Sequence, residues 1–246
     1  MKKGLFVIAT LVFFFMGGTT AYSQFRPNPI LNDQDYEREK RLRFGFSLGL
    51  NFMDFTVKSN IEPYVSSDGD SLQYFVDNSH IIPGFNVNVV SDFRIIENFH
   101  LRFLPGLAFG QRDVSFYLPN EQEPTTMKLE SSFIEMPFLL KYTAKRKTNT
   151  VPYLIAGLNF RIDMAAYKKL NIEEGIMIRL VKGDFYYEIG FGLDNFLTFF
   201  KFSTEIKYSS GFLNVFANDF ADGAQDYAHS ISHLRSHVIS LSFHFE

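Results

Sequence analysis

The sequence predicts an all-β protein, an eight-stranded antiparallel up-and-down transmembrane β-barrel with a filled lumen, long external loops and short periplasmic turns. Three observations predict it. Bulky apolar residues alternate with small or polar residues along several segments, which is the pattern of strands with one apolar face. The polar face of the first such segment carries no charge, unlike the water-facing side of a soluble sheet. The connections between segments are alternately long and short, as in outer-membrane barrels.

The composition excludes several kinds of partner and functional site. The chain has 246 residues with 30 Phe, 12 Tyr and no Trp, and its aromatic share of 17% is high for a soluble domain. The formal net charge of −3 gives no reason to expect a nucleic-acid partner. The chain has no Cys, which excludes a disulfide, a thiolate nucleophile, a cysteine metal site and a lipidated cysteine anchor.

Residues 1–23 have the features of a signal peptide. The start is positively charged, residues 5–16 are apolar, and Ala21, Tyr22 and Ser23 fit the small-x-small cleavage rule. The sequence therefore predicts cleavage after Ser23 and export. The alternative is an uncleaved anchor, for which the apolar run is short.

Residues 24–41 contain Pro27, Pro29 and charges of both signs, with little periodicity. We interpret them as a periplasmic leader that forms a solvated tail. A peptide that docks on a partner is the alternative. Beyond Ser23 no run of about 18 apolar residues occurs, so no membrane helix is predicted. The predicted barrel occupies residues 42–246.

The first four strands are predicted from alternation interrupted by Gly, Pro, Asn and Asp. In the segment RFGFSLGLNFMD at 43–54, Phe or Leu alternates with Gly, Ser or Asn up to residue 52. The second strand alternates Phe and Val with Gly and Asn, the third alternates Leu and Phe with Arg, Gly and Ala, and the fourth contains FIEMPFLLKY. In chain order these strands cover 42–57, 81–93, 99–117 and 129–142. The connections are long at 58–80, tight at 94–98 and long at 118–128.

The last four strands follow the same rule and cover 151–163, 183–194, 199–209 and 237–245. The connections at 164–182 and 210–236 are long, and the first of these is a candidate for a short helix at 165–170. The connections at 144–150 and 195–198 are short. An even strand number with short periplasmic turns is typical of outer-membrane barrels, so we expect an outer-membrane protein with both termini in the periplasm.

Charged residues of both signs lie on the predicted inward faces. A barrel of eight strands is narrow enough for side chains to fill it, and unpaired charge in such a space is costly. We therefore predict an ion-paired network and no open pore; a proton or ion path is the alternative. The predicted lumen network consists of Arg102, Arg112, Glu135, Lys141, Arg161, Glu188, Lys201, Glu205 and Lys207.

The candidates for metal binding are weak. His229, His233 and His237 are spaced four apart and would share one face of a helix, but His237 begins the predicted last strand. Asp68 and Asp70 resemble a fragment of a calcium loop, without its spacing or its closing Glu. We therefore predict no metal site, no cofactor and no cofactor-binding residue.

A lipid-modifying barrel enzyme would need a Ser, a His and an acid at its outer rim. Ser230, Ser232 and Ser236 each neighbour a histidine in the sequence. Adjacent residues of a strand point to opposite faces, so such neighbours pair poorly. We therefore predict no catalytic residue and no enzyme activity.

Four motifs together resemble the PorT family of outer-membrane β-barrels. They are REKRLRFGFSLGLNFMDFTV in the first strand, FIEMPFLLKY in the fourth, VPYLIAGLNFRIDM in the fifth and FYYEIGFGLD in the sixth. Their order and spacing match across about residues 42–245. The fourth-strand motif is shared by many small barrels, whereas FGF-x-LGLN with MDF indicates PorT itself. One departure is that the last aromatic, Phe245, is followed by Glu246, whereas such barrels commonly end on the aromatic.

The resemblance implies a part in type IX protein secretion and the associated gliding motility, with export of cargo across the outer membrane. The family has no established catalytic residue. The expected function is therefore a non-enzymatic accessory, assembly or scaffold factor of this secretion system. The expected partners are outer-membrane lipid and other secretion-system proteins of the outer membrane and periplasm, with no nucleic acid. The alternatives are a small barrel with an adhesin-like or surface-protective role and a lipid A-modifying barrel enzyme.

Overall fold

The computed structural model describes residues 31–32, 41–60, 64–65, 71–72, 75–77, 82–117, 125–166, 178–220 and 225–246. The chain divides into a unit of residues 1–31 and a unit of residues 32–246. Every strand that the structure describes lies in the second unit. The calcium-loop candidate at 66–70 and most of the helix candidate at 165–170 lie outside the described residues.

The strands of the second unit, in chain order, are β1 (Leu42–Ser59), β2 (Tyr64–Val65), β3 (Ser71–Leu72), β4 (Phe75–Asp77), β5 (Pro83–Ile96), β6 (Phe99–Phe103), β7 (Gly106–Tyr117), β8 (Thr125–Thr143), β9 (Thr150–Asp163), β10 (Ile178–Leu180), β11 (Gly183–Phe196), β12 (Lys201–Gly211), β13 (Phe216–Phe220) and β14 (Ile231–Phe245). One short helix, α1 (Gln225–His229), precedes β14. No helix among the described residues has the length and apolar character needed to cross a membrane.

Eight antiparallel strand segments form a ring, and we call each of them a stave. β1 pairs with β14 on one side and with β5 on the other, so that Phe46 lies opposite both Phe245 and Val89. The remaining order is β14, β12, β11, β9, β8, then β6 with β7, then β5. Each stave pairs with its neighbours in the sequence, and the first pairs with the last. The prediction of an all-β, antiparallel, up-and-down barrel of eight strands is confirmed.

The third stave is divided, unlike the predicted continuous strand at 99–117. Pro105 has no backbone N–H, so it cannot donate to the ladder, and the stave breaks into β6 and β7 at this point. The pairing with β5 continues through the break, because the backbone N–H of Val89 donates to the carbonyl of Pro105 at 2.9 Å. Both halves keep the same register with β5 and β8, so the alternation of faces is preserved.

The last stave begins at Ile231, six residues before the predicted start at His237. Its first residues extend the pairing with β1, from Phe55 opposite Ser236 to Ser59 opposite Ile231. The register shifts between Lys58 and Ser59. The outward residues of this part of β14, such as His233 and Arg235, are polar, which is why the apolar pattern does not reveal it.

The two ends of the ring differ. The turn end, as we call it, carries the connections at 97–98, 144–149 and 197–200, together with residues 41 and 246. The opposite end, the loop end, carries the longer connections and an apolar core. This core includes the small pair of β10 with β13. Its buried residues are Phe55, Val114, Phe116, Met127, Ala166, Ile178, Leu180, Val215, Ala228, Ile231 and Leu234.

The outer surface carries a band of exposed apolar side chains. Phe44 is 66% exposed and Leu154 is 60% exposed, although both belong to well-paired strands. Exposure of this extent marks a surface that is covered by something other than water. Further members from every stave are Leu48, Leu50, Phe85, Val87, Val89, Leu101, Leu107, Phe138, Leu140, Leu158, Phe185, Ile189, Phe191, Ile206 and Ile239.

Candidate functional site: the charged interior

Charged side chains lie inside the ring, together with buried apolar side chains such as Leu104 and Leu139. The structure places all nine residues of the predicted lumen network in buried positions: Arg102, Arg112, Glu135, Lys141, Arg161, Glu188, Lys201, Glu205 and Lys207. They are held there because each occupies an inward position of an alternating strand. They belong to three groups at successive heights along the barrel axis, from the turn end to the loop end.

The turn-end cluster consists of Asp92, His100, Arg102, Lys141, Asp194, Lys201, Glu205, His244 and Glu246. Arg102 lies at its centre and is fully buried. Its Nε donates to Asp92 Oδ2 at 3.1 Å, one terminal nitrogen donates to Glu205 Oε2 at 3.4 Å, and the other donates to the Glu246 carboxylate. These contacts join β5 and β6 to β12 and to the end of β14, on the opposite side of the ring.

A second group of contacts completes the turn-end cluster. Lys201 Nζ donates to Glu246 Oε2 and Lys141 Nζ donates to Asp194 Oδ2, each at 2.6 Å. His100 Nδ1 lies 2.6 Å from Asp92 Oδ1. Each lysine and arginine of the cluster therefore has an acidic partner, as buried charge requires.

Tyr153 packs inside the same cluster. Its hydroxyl donates to Glu205 Oε2 at 2.8 Å, and Lys141 Nζ lies 3.8 Å from its ring centroid. The ring fits because residue 192 is glycine: a Cβ there would lie 2.4 Å from the Tyr153 ring and 2.5 Å from the Thr204 carbonyl oxygen. A small residue on the inward face thus makes room for a large one on the neighbouring strand.

The central cluster is organised around Glu188, which is fully buried on β11. Its Oε1 accepts from Asn159 at 2.8 Å and lies 3.2 Å from the Arg161 guanidinium, and its Oε2 lies 2.8 Å from Lys207 Nζ. Arg161 also pairs with Glu135 at 2.9 Å. The cluster therefore ties four consecutive staves, β8, β9, β11 and β12, to one another.

Arg112 on β7 forms the third group, next to the apolar core of the loop end. It donates to Asp163 Oδ2 at 3.1 Å, to Ser236 Oγ at 3.0 Å and to Ser131 Oγ. Its guanidinium carbon lies 4.2 Å from the centroid of the Phe55 ring, within the range of a cation–π contact. It thereby connects β7 with β14 across the ring.

Sequence reasoning missed most of the acidic partners. The nine predicted residues comprise six cations and three anions, and this imbalance was itself a signal that further acids must face the interior. The structure supplies them at Asp92, Asp163, Asp194 and Glu246. Most of these lie at the ends of strands, where alternation is hardest to follow.

The histidine and serine candidates lie elsewhere. His229 ends α1, whereas His233 and His237 belong to β14, so the three do not share a helix face. The His237 Nδ1 lies 2.8 Å from the Tyr208 hydroxyl. Ser236 accepts from Arg112. Among the described residues, no group of three or more His, Asp or Glu side chains is arranged to hold a metal ion.

Residues 22–217 match the family model described as the outer membrane protein beta-barrel domain. The chain belongs to this family. No curated protein matches its sequence. Among solved structures, the outer membrane protein OprG from Pseudomonas aeruginosa is similar, with 13% identity and a TM-score of 0.45 over 82% of this chain and 92% of OprG.

Membership in the outer-membrane β-barrel family explains the exposed apolar band. The protein is located in the outer membrane, and the band contacts lipid. The same family pattern alternates apolar outward residues with polar inward residues, which is the arrangement of the charged interior described above. The charged clusters thus lie inside a lipid-embedded cylinder.

Proposed function

We propose that this outer-membrane barrel is a non-enzymatic accessory, assembly or scaffold component of the type IX protein secretion system, required for export of cargo across the outer membrane. The resemblance of four strand motifs to the PorT family supports the secretion role. One structural observation carries the scaffold role: Arg102 and Arg112 join opposite sides of the ring at two heights. A barrel crossed in this way is a rigid membrane support and not a conduit.

The proposal includes an orientation. The turn end, where β1 begins and β14 ends, faces the periplasm, because short connections are periplasmic in outer-membrane barrels. Residues 1–23 are a signal peptide removed after Ser23, and residues 24–41 form a periplasmic leader. The longer connections of the loop end face the cell exterior. Secretion partners of the periplasm and outer membrane therefore meet the turn end, the leader or the lipid-facing wall.

The test of the secretion role is a deletion strain. Cargo proteins of the secretion system should remain inside the cell envelope in the deletion strain and return to the medium on complementation. The matched comparison is a strain that lacks an unrelated small outer-membrane barrel, which controls for general damage to the envelope. Normal secretion combined with a loss of surface attachment would overturn the proposal in favour of an adhesin-like role. Normal secretion combined with altered lipid A would favour the enzyme.

A further inference from the structure

The outer face of the seam between β1 and β14 changes from apolar to polar near the loop end. The outward residues of β1 are apolar from Leu42 to Phe52, and those of β14 are apolar from Ile239 to Phe245. Beyond them the outward positions are polar and mostly basic. We call this polar part the seam patch. It consists of Asp54, Thr56 and Lys58 of β1 and of His233, Arg235 and His237 of β14.

The seam patch lies at the level where the hydrocarbon of the membrane ends. At about 3.3 Å per residue and a tilt of about 40°, β1 rises about 25 Å between Leu42 and Phe52, which is the height of the apolar band of an outer-membrane barrel. The neighbouring strands carry tyrosines at the same level. The Tyr208 hydroxyl lies 2.8 Å from Nδ1 of His237, and the Tyr208 ring lies 6.4 Å from the Tyr187 ring, centroid to centroid. Because tyrosines form girdles at membrane–water interfaces, the seam patch faces lipid headgroups.

Two exposed cations of the seam patch come from opposite sides of the seam. In the pairing register, Arg235 lies opposite Thr56. Lys58 lies opposite His233, the next outward residue of β14, so Lys58 and Arg235 are diagonal neighbours on one face. Diagonal neighbours are about 7–8 Å apart, within reach of long side chains. Neither cation pairs with a carboxylate among the described residues. An anion between them would contact the first and the last strand together.

The acid of the seam patch, Asp54, lies closer to the apolar band than the two cations. It is opposite His237, and its Oδ1 accepts a hydrogen bond from the backbone N–H of Phe55 at 2.7 Å. Asp54 is partly buried, whereas Lys58 and Arg235 are exposed. The negative charge therefore lies on the side of the hydrocarbon and the positive charges lie on the side of the water. An anion at the headgroup level meets the cations first.

We propose that the seam patch binds the phosphate of a lipid of the outer leaflet, with the phosphate between Lys58 and Arg235. Arginine matches phosphate oxygens with two parallel N–H groups, and lysine adds a point charge. The apolar band runs directly into the seam patch, so a ligand that carries both acyl chains and a phosphate matches the whole surface. A free phosphate would contact only the polar end of this surface.

The inference goes beyond the secretion role. It rests on the proposed function only for the orientation, because the outward position of the loop end decides which leaflet supplies the lipid. Since the phosphate would bridge β1 and β14, the bound lipid should also stabilise the place where the ring joins its first and last strands. A ligand that binds only the folded state raises the midpoint of thermal unfolding.

The experiment is native mass spectrometry of the full mature chain in uncharged detergent, with diphosphorylated lipid A as the probe. Lipid A with the same acyl chains and no phosphate is the ligand control. We expect saturable, phosphate-dependent binding. Lys58→Gln should weaken it about fivefold, and Lys58→Gln with Arg235→Gln at least tenfold. Lys128→Gln is the matched control, because it removes an exposed outward charge of β8 at the same end of the barrel, opposite Asp113, and should leave binding unchanged.

The same variants are compared by thermal unfolding. Lipid A should raise the unfolding midpoint of the wild type and of Lys128→Gln, and it should leave the midpoint of the double variant unchanged. Circular dichroism without lipid confirms that all variants are folded. An equal loss of binding in Lys58→Gln and Lys128→Gln would show a general effect of charge and would overturn the assignment to the seam patch.

Three further results would overturn the proposal. Equal binding of the dephosphorylated lipid would show that the phosphate is not recognised. Displacement of lipid A by an equal concentration of inorganic phosphate would identify a site for the free ion. Tighter binding of phosphatidylglycerol than of lipid A would place the seam patch at the inner leaflet. Lipid binding is measured on the purified protein and cargo export in the deletion strain, so this proposal and the secretion role fail separately.

Discussion

Arg102 on β6 and Glu246 at the end of β14 form a buried ion pair although 144 positions separate them in the sequence. Both side chains are fully buried, and Lys201 shares the Glu246 carboxylate. The pair connects the third stave to the last one across the turn end. Since β14 also pairs with β1, this contact reinforces the place where the ring joins its first and last strands.

Replacing Arg102 by Met should therefore destabilise the barrel strongly. The variant leaves Asp92, Glu205 and Glu246 buried with one cationic partner fewer, and breaking a buried pair by removing one side costs about 3–5 kcal/mol. The measurement is the free energy of unfolding by guanidinium in detergent micelles. Lys145→Met, on an exposed side chain of the same end, is the control and should stay within about 0.5 kcal/mol of wild type.

A double-mutant cycle isolates the pair itself. Glu246→Gln alone should also destabilise, and the combination with Arg102→Met should cost less than the two single changes together, because residues in one network couple by about 0.5–3 kcal/mol. Strictly additive losses would show that Arg102 and Glu246 do not interact in the folded protein.

The contrast between Arg102 and Glu246 also shows how far the sequence can predict this molecule. The inward position of Arg102 follows from alternation with Leu101 and Phe103, a local pattern that is repeated in every stave. Its partners come from strands far away in the sequence, and no local pattern encodes which inward residues meet at the same height. The pairing register of the strands fixes that height, and this register is set only when all staves of the ring are paired.

Local pattern also fails where the backbone departs from regular pairing. The break at Pro105 and the register shift at Ser59 each come from a single residue or step of the ladder. Both leave the ring intact, so the strand number was predictable. Several boundaries were not: β8 begins four residues and β14 six residues before the predicted strands. Glu246 illustrates the same limit. It follows the last residue of β14, so no later strand residue indicates that its side chain faces inward.

Glu188 should be the most sensitive acid of the central cluster. Glu188→Leu removes a carboxylate that contacts Arg161, Lys207 and Asn159. The loss expected from leaving Lys207 buried beside an apolar side chain is about 3–5 kcal/mol in the free energy of unfolding. Glu97→Leu, at an exposed position of the β5–β6 turn, is the matched control. Equal stability of the two variants would contradict a central role for Glu188.

Gly192→Ala should displace the Tyr153 ring and weaken its hydrogen bond to Glu205. The added Cβ would meet the ring at 2.4 Å and the Thr204 carbonyl oxygen at 2.5 Å, and the backbone oxygen cannot move aside freely. Overpacking of this kind costs about 1–3 kcal/mol. At Gly183 the nearest atoms of Phe160 lie 3.7 Å from an added Cβ, so Gly183→Ala should be nearly neutral. Thermal unfolding monitored by near-ultraviolet circular dichroism compares the two variants.

Ile206→Arg tests the lipid-facing surface. Ile206 is 46% exposed at the middle of β12, and its side chain belongs to the apolar outer band. An arginine near the bilayer midplane of a barrel costs about 2–4 kcal/mol, and the penalty falls toward the interfaces. Folding into phospholipid vesicles from urea should show this loss for Ile206→Arg, whereas Thr148→Arg in the β8–β9 connection should fold like wild type. Equal folding of both variants would place the outer band outside the hydrocarbon.

Planar bilayers test whether the interior is filled as the clusters indicate. The purified protein should show no large, stable conductance, because Arg102 and Arg112 both cross the ring and Glu188 joins its neighbours between them. The double variant Arg102→Ser with Arg112→Ser removes both side chains that cross the ring. It should produce channels of larger and longer-lived conductance. The single variant Lys145→Ser, outside the clusters, should behave like wild type. Large, stable channels in the wild-type protein would show that the charged clusters leave a continuous aqueous path. That result would overturn the scaffold role in favour of a role as a conduit.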